Sequence, residues 1–195
     1  FVMPRTIEKG PSAFWKKVLW RSFLIFMIGL FLNWSPFFRW TDGGLEFIPW
    51  VTDDYTGVRI LGVLQRIAIA YLLASILVFY FSPKILLRIA VGILILYWGI
   101  VYLGNPDDPY SMDGFVGNRL DRFILGIPHL YKGEGVPFDP EGILSTLPVV
   151  SQVIFGYLVG RAIPLQDQSR PLILTTHLFV WAFGFLIIGD VWGFA

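Results

Sequence analysis

Cysteine is absent from this chain of 195 residues. That excludes a disulfide framework and any thiolate metal site. Charge is scarce as well. Asp, Glu, Lys and Arg together make up 15% of the residues, against roughly 25% in soluble domains. A fold of this length has too few polar side chains to cover a water-facing surface. Fifteen basic residues nearly balance fourteen acidic ones, so the chain lacks the basic excess of a nucleic-acid binder. Histidine occurs twice. No internal repeat or low-complexity tract is present. What remains is apolar: 55% of residues are hydrophobic and 17% aromatic. Such a composition excludes a disordered chain and a coiled coil.

A bilayer core about 30 Å thick needs about 20 helical residues. Five stretches meet that length: about Phe14 to Phe38, Val58–Phe81, Ile85–Leu103, Ile143–Ile163 and Leu172–Phe194. The expected fold is therefore all-α, a polytopic membrane protein with about five transmembrane helices. The connections sort by charge. Nine basic residues, among them Lys16, Lys17, Arg21, Lys84, Arg88 and Arg161, fall on one side with two acids. Six basic and twelve acidic residues fall on the other. The positive-inside rule then puts Phe1 in the cytoplasm and Ala195 outside. Trp34, Trp40, Trp50, Trp98 and Trp192 would form the outer aromatic belt, Trp15 and Trp20 the inner one. Phe1-Val2-Met3 reads as the tail of an earlier span, and the chain stops within apolar sequence. Residues 1–195 are thus expected to be part of a single transmembrane domain, cut at both ends, with 104–142 as an extracytoplasmic loop.

That loop of 39 residues carries seven acids against Arg119, Arg122 and Lys132, a net charge of −4. Loops longer than about 12–15 residues are usually functional. Val116, Leu120, Phe123 and Ile124 recur at helical spacing and predict a short helix along the membrane surface, ended by Gly126 and Pro128. Asp139-Pro140-Glu141 has two compatible readings. It can cap the fourth span, with Asp at the N-cap, Pro at the first position and Glu against the positive dipole end. It can also place two carboxylates beside His129 at the mouth of a cavity, where they orient an amine or a sugar. His129 itself suits a general base, a substrate contact or a bond to a loop carbonyl. A metal held by His129, Asp139 and Glu141 has no compact ligand spacing in its favour. His177 is expected to hydrogen-bond between helices.

In the second span Arg59, Gly62, Val63, Arg66 and Ala70 fall on one helical face. Arg59 can snorkel to the outer surface. Arg66 lies about 10 Å deeper. An intramembrane Arg must find an anion, either a bound ligand or a loop carboxylate such as Asp121 or Glu141. Gly62 permits close approach of a helix or ligand. Gln65 is expected to hydrogen-bond a neighbouring helix. Pro148 reads as a kink in the fourth span.

Arg59-Ile60-Leu61-Gly62-Val63-Leu64-Gln65-Arg66-Ile67-Ala68 is followed by Leu120-Asp121-Arg122, His129-Leu130-Tyr131 and Phe138-Asp139-Pro140-Glu141-Gly142-Ile143-Leu144-Ser145-Thr146. In that order and spacing these segments resemble the heparan-alpha-glucosaminide N-acetyltransferase family. The wording is nearest its bacterial membrane members, some of them described as N-acetylglucosamine transporters. The resemblance implies a multi-pass acyltransferase of a bacterial inner membrane. It would move an acetyl group from cytosolic acetyl-CoA to the amine of an aminosugar on the outer side, without a metal. The resemblance implies a catalytic His upstream of Phe1, in the loop after a first span. His129, Asp139 and Glu141 would then have supporting catalytic roles. Arg59, Gly62, Arg66 and Asp121 would bind substrate or coenzyme. The lipid bilayer, acyl-CoA and the acceptor are the expected partners, with a homodimer as a candidate assembly. Two other functions stay open: a transporter for an aminosugar or related solute, and an assembly subunit.

Overall fold

The computed structural model describes residues 10–41, 43–51, 57–131, 133, 135–162 and 171–193. The chain divides into two units, with the boundary between Phe155 and Gly156. The first begins with helix α1, Pro11–Trp34, followed by a hairpin of β1, Phe38–Thr41, and β2, Gly44–Phe47. Then come α2, Val63–Tyr80, and α3, Pro83–Gly104. The short helix α4 spans Gly117–Ile124, and a single 3₁₀ turn Ile127–His129 follows. Helix α5, Thr146–Ala162, runs across the unit boundary, and α6 is Pro171–Gly193.

The protein is a predominantly helical membrane protein, and α1, α2 and α3 are each long and apolar enough to cross a bilayer. Their surfaces make the same point. Leu19, Trp20, Phe23, Ile28, Phe31 and Leu32 of α1 are exposed, as are Ile95, Leu96 and Leu103 of α3. Water would penalise that surface, and lipid does not. The fourth and fifth expected spans fall on α5 and α6, which are not among the three described helices long and apolar enough to cross a bilayer. Helix α5 has 17 residues, about 26 Å of helix. Helix α6 is apolar on every side, with Phe179, Trp181, Phe183, Phe185 and Leu186 exposed.

Helices α1 and α2 pack through small residues. Phe14, Val18, Ser22 and Gly29 form the buried stripe of α1. On α2, Gln65, Ala68, Ala70, Ala74, Ser75 and Val78 are buried; Gln65 lies against Gly29, and the Phe79 ring stacks on Phe14 at 5.0 Å. A Cβ on Gly29 would come within 2.8 Å of Leu64 Cβ and 2.6 Å of Gln65 Oε1. The Gln65 amide is therefore buried against α1, but neither of its polar atoms has a hydrogen-bond partner. The expected interhelical bond from Gln65 does not form, because the glycine opposite offers no side chain. Helix α3 is tied to α5 by Ser151 Oγ, which donates to Ala90 O at 3.0 Å.

The hairpin was not legible in the sequence. Its register pairs Phe38 with Phe47, Arg39 with Glu46 and Trp40 with Leu45. It follows α1 at once, and Trp34 Nε1 donates to Ile48 O at 2.9 Å to hold it there.

Candidate functional site

The apolar pattern of the second span runs back to Val58, yet α2 begins only at Val63. Residues 58–62 form no helix, and partners from other segments claim their backbone. Val58 N–H donates to Trp50 O at 3.0 Å and Ile60 N–H to His129 O at 3.2 Å. Asn33 Nδ2 donates to Arg59 O at 3.0 Å. Gly62 is the extended residue ahead of the helix. A Cβ there would stand 3.0 Å from the Asn33 amide and 3.1 Å from Gln65 Oε1. Arg59 and Gly62 therefore do not share a helical face with Arg66, contrary to expectation.

Freed from the helix, Arg59 does not snorkel. It turns onto the segment before α5. Nε donates to Asp139 Oδ2 at 3.1 Å and Nη2 to Asp139 Oδ1 at 2.6 Å. Nη2 also donates to Glu141 Oε2. The guanidinium carbon lies 4.8 Å from the centre of the Tyr131 ring, a cation–π contact. The Asp139 side chain is fully buried. Burial alone would lower the Arg59 pKa, but the bonds and charges of Asp139 and Glu141 outweigh it and hold the pKa above its ordinary value. Arg59 thus stands as one cation between two carboxylates.

Asp139 also accepts from Glu141 N–H at 3.0 Å, and Gly142 N–H donates to Asp139 O at 3.0 Å. These bonds fold a turn. The helix starts seven residues later, at Thr146, so Asp139 caps a turn and not the fourth span. Pro148 then falls in the first helical turn, where its missing N–H costs nothing. Arg66 supports the same turn from below. Its Nη2 donates to Ser145 O at 2.8 Å, and its Nη1 lies 3.5 Å from Pro140 O. The anion expected for Arg66 is not a loop carboxylate, because Arg59 already holds Asp139 and Glu141. Backbone carbonyl dipoles take its place.

Asp121 lies behind this turn on α4. It is completely buried. Oδ1 accepts from Ile143 N–H at 2.8 Å, while Oδ2 has no partner. A Cβ at Gly142 would overlap the carboxylate, so only glycine lets the turn approach it. Desolvation raises the Asp121 pKa above 3.8, the Asp139 charge adds to the rise, and the bond from Ile143 opposes it.

His129 ends the 3₁₀ turn. Its Nδ1 lies 2.7 Å from Val58 O. A carbonyl can only accept, so Nδ1 carries the proton, and in the neutral ring Nε2 keeps its lone pair. The ring centre is 5.1 Å from that of Trp50. His129 thus holds the backbone of the segment whose Arg59 side chain carries the carboxylates.

A cavity of about 360 Å³ opens beside Asp139. Tyr97, Tyr110, Phe115 and Phe138 form aromatic walls, and Asn118, Asp139 and Ser145 supply polar groups. His129 and Glu141 do not line it, so the expected convergence on one cavity holds for Asp139 alone. Among the described residues no group of His, Asp and Glu is arranged to hold a metal. Here the cation between the carboxylates is Arg59. His177 is exposed on α6 in the other unit.

Sequence reasoning missed Asn33, Trp50, Tyr97 and Asn118. Asn118 had a signal. It stands three residues before Asp121, and together with Gly117 they form the buried face of α4. The helix buries Asn118 and Asp121 and exposes Arg119 and Arg122 beside Phe123 and Ile124.

No family model matches the chain. It is 26% identical to the heparan-alpha-glucosaminide N-acetyltransferase of Mus musculus over an alignment of 204 residues, which covers 82% of this chain and 29% of that protein. It is 25% identical to the Homo sapiens enzyme over 226 residues, covering 92% of this chain and 32% of that protein. The chain is related to this family. It spans about a third of the length of these curated relatives. The similarity extends across the segments that build the Arg59 cluster, because the alignments take in most of the chain.

Proposed function

We propose that this chain forms the acceptor-side portion of a transmembrane N-acetyltransferase. The enzyme moves an acetyl group from cytosolic acetyl-CoA to the amine of an aminosugar on the outer side. The observation that carries this reading is the Arg59–Asp139–Glu141 cluster at the edge of an aromatic-walled cavity. A protonated glucosamine amine is drawn to the Asp139 carboxylate that lines the cavity. The sugar ring suits the aromatic walls, and its hydroxyls suit Asn118 and Ser145. Asn118 Oδ1 is buried without a partner, so a hydroxyl or amine donor satisfies it.

In the reaction the bound ammonium first gives one proton to water, and the neutral amine nitrogen then attacks the thioester carbonyl. A base takes the proton that the nitrogen gives up, and the coenzyme thiolate leaves. The family resemblance assigns the base to a His upstream of Phe1. Arg59 holds both carboxylates in place, Arg66 and Asp121 hold the turn that bears them, and His129 holds the segment that bears Arg59.

The test uses full-length protein in liposomes, with acetyl-CoA on the cytosolic face and labelled glucosamine on the other. N-acetylated sugar should form only when coenzyme is present. Asp139→Asn should reduce its formation roughly tenfold or more, equivalent to ~1.4 kcal/mol. Movement of unmodified aminosugar across the bilayer without coenzyme would favour a transporter instead.

A further inference from the structure

The β1–β2 hairpin has two unlike faces. Residues directly opposite in an antiparallel pair project to the same side, and neighbours along a strand alternate. The register therefore puts Phe38, Trp40, Leu45 and Phe47 on one face and Arg39 with Glu46 on the other. The apolar face is open: Trp40 is 82% exposed, Leu45 56%, Phe47 54% and Phe38 48%. Four large apolar side chains side by side form a patch that water would disfavour.

The position of the hairpin identifies what covers it. Helix α1 has 24 residues, about 36 Å of helix against a hydrocarbon core of about 30 Å. Its Trp34 end therefore emerges at the bilayer boundary. Three residues separate that end from Phe38. The lipid-facing surface of α1 continues into the hairpin without a break. Phe31, exposed on α1, has its ring centre 5.0 Å from that of Phe37. Trp34 meets Phe37 at 5.8 Å and Phe47 at 5.7 Å, and Phe47 meets Phe38 at 5.6 Å. The hairpin is thus held at the depth of the last turn of α1. Two other elements at this end behave alike. Trp98 and Tyr102 stack at 5.6 Å near the end of α3. Helix α4 exposes Phe123 and Ile124 while it buries Asn118 and Asp121.

We propose that the hairpin is a membrane-interface element. Its Phe38-Trp40-Leu45-Phe47 face lies in the headgroup and upper acyl region of the bilayer, with Arg39 and Glu46 turned toward water. The partner is the lipid surface itself. Aromatic rings favour that depth because they are apolar in body and tolerate polar surroundings at their edges.

The chain contains no Cys, so single labels can be placed on either face. Trp40→Cys, Leu45→Cys and Glu46→Cys in the full-length protein, otherwise free of Cys, are labelled with an environment-sensitive fluorophore and reconstituted in phosphatidylcholine vesicles. Lipid bearing a nitroxide high on its acyl chain should quench positions 40 and 45 at least about twofold more than position 46. Aqueous iodide should show the reverse order. Leu45→Cys supplies the reading if Trp40→Cys fails to fold. Equal iodide quenching at all three sites would mean that the face meets water and would overturn the proposal. Protection of positions 40 and 45 from both quenchers would overturn it too, because protein would then cover the face.

Discussion

Arg59 grips both oxygens of Asp139, at 3.1 and 2.6 Å, from a position eighty residues earlier in the chain. This fork ties the segment before α2 to the turn before α5. Removing one partner of a buried pair leaves the other charge uncompensated. Arg59→Ala should therefore cost about 3–5 kcal/mol of stability. The double variant Arg59→Met, Asp139→Leu should cost less than Arg59→Ala alone. Thermal unfolding in detergent checks the order. A double variant no more stable than Arg59→Ala would show that the buried charge is not what destabilises the single variant.

Asp121 gives stability a pH dependence of definite sign. Its folded-state pKa is raised above 3.8, chiefly by desolvation. The folded state therefore binds the proton more tightly than the unfolded state does. The contribution is fully present below the unfolded pKa and is lost as pH rises through the folded one. Asp121→Asn, neutral throughout, should lack that decline. Unfolding measured from acid to neutral pH decides it, and an unchanged slope in the variant would assign the dependence to other groups.

Gly142→Ala should destabilise by about 1–3 kcal/mol, the usual cost of overpacking, because its Cβ would overlap the Asp121 carboxylate. Combined with Asp121→Ala the loss should be less than additive, since the overlapping atoms are gone. Melting temperatures of the two single variants and the double variant form the test.

His129→Ala should lower turnover by roughly 10- to 100-fold without abolishing it, at or below the roughly 100- to 10,000-fold that a proton-transfer group contributes. The ring holds Val58 through Nδ1 and so acts on Arg59 through the segment. His129→Asn retains a donor toward Val58 O and should recover part of the loss. Steady-state kinetics on the full-length protein are the check. Complete loss of activity with intact fold and coenzyme binding would make Nε2 the base itself.

The spans were legible because lipid leaves a simple record. About 20 apolar residues in a row are required whatever the packing, so α1 and α3 appear within a few residues of their expected bounds. The short helix α4 was legible too, from Val116, Leu120, Phe123 and Ile124. Which of its faces turns inward was not: Asn118 and Asp121 look like part of a solvent face, and only the turn that Asp121 holds through Ile143 N–H shows why they are buried.

Sequence alone determined that this is a helical membrane protein related to N-acetyltransferases, with its polar residues gathered at Arg59–Arg66 and Asp139–Glu141. Composition and runs of apolar residues carry the membrane assignment, because crossing a bilayer is a constraint on consecutive residues; the relationship rests on the order and spacing of the motif segments and on the 25–26% identity to the curated enzymes. Only the tertiary structure decided which arginine meets which carboxylate. Helical spacing favoured Arg66, since it assumed that α2 begins at Val58. Bonds from Trp50, His129 and the Asn33 side chain hold the backbone of residues 58–60 outside the helix instead, and Arg59 meets Asp139 while α2 carries Arg66 to the carbonyls of the turn. Those partners are remote in sequence, so no window of neighbouring residues contains the choice.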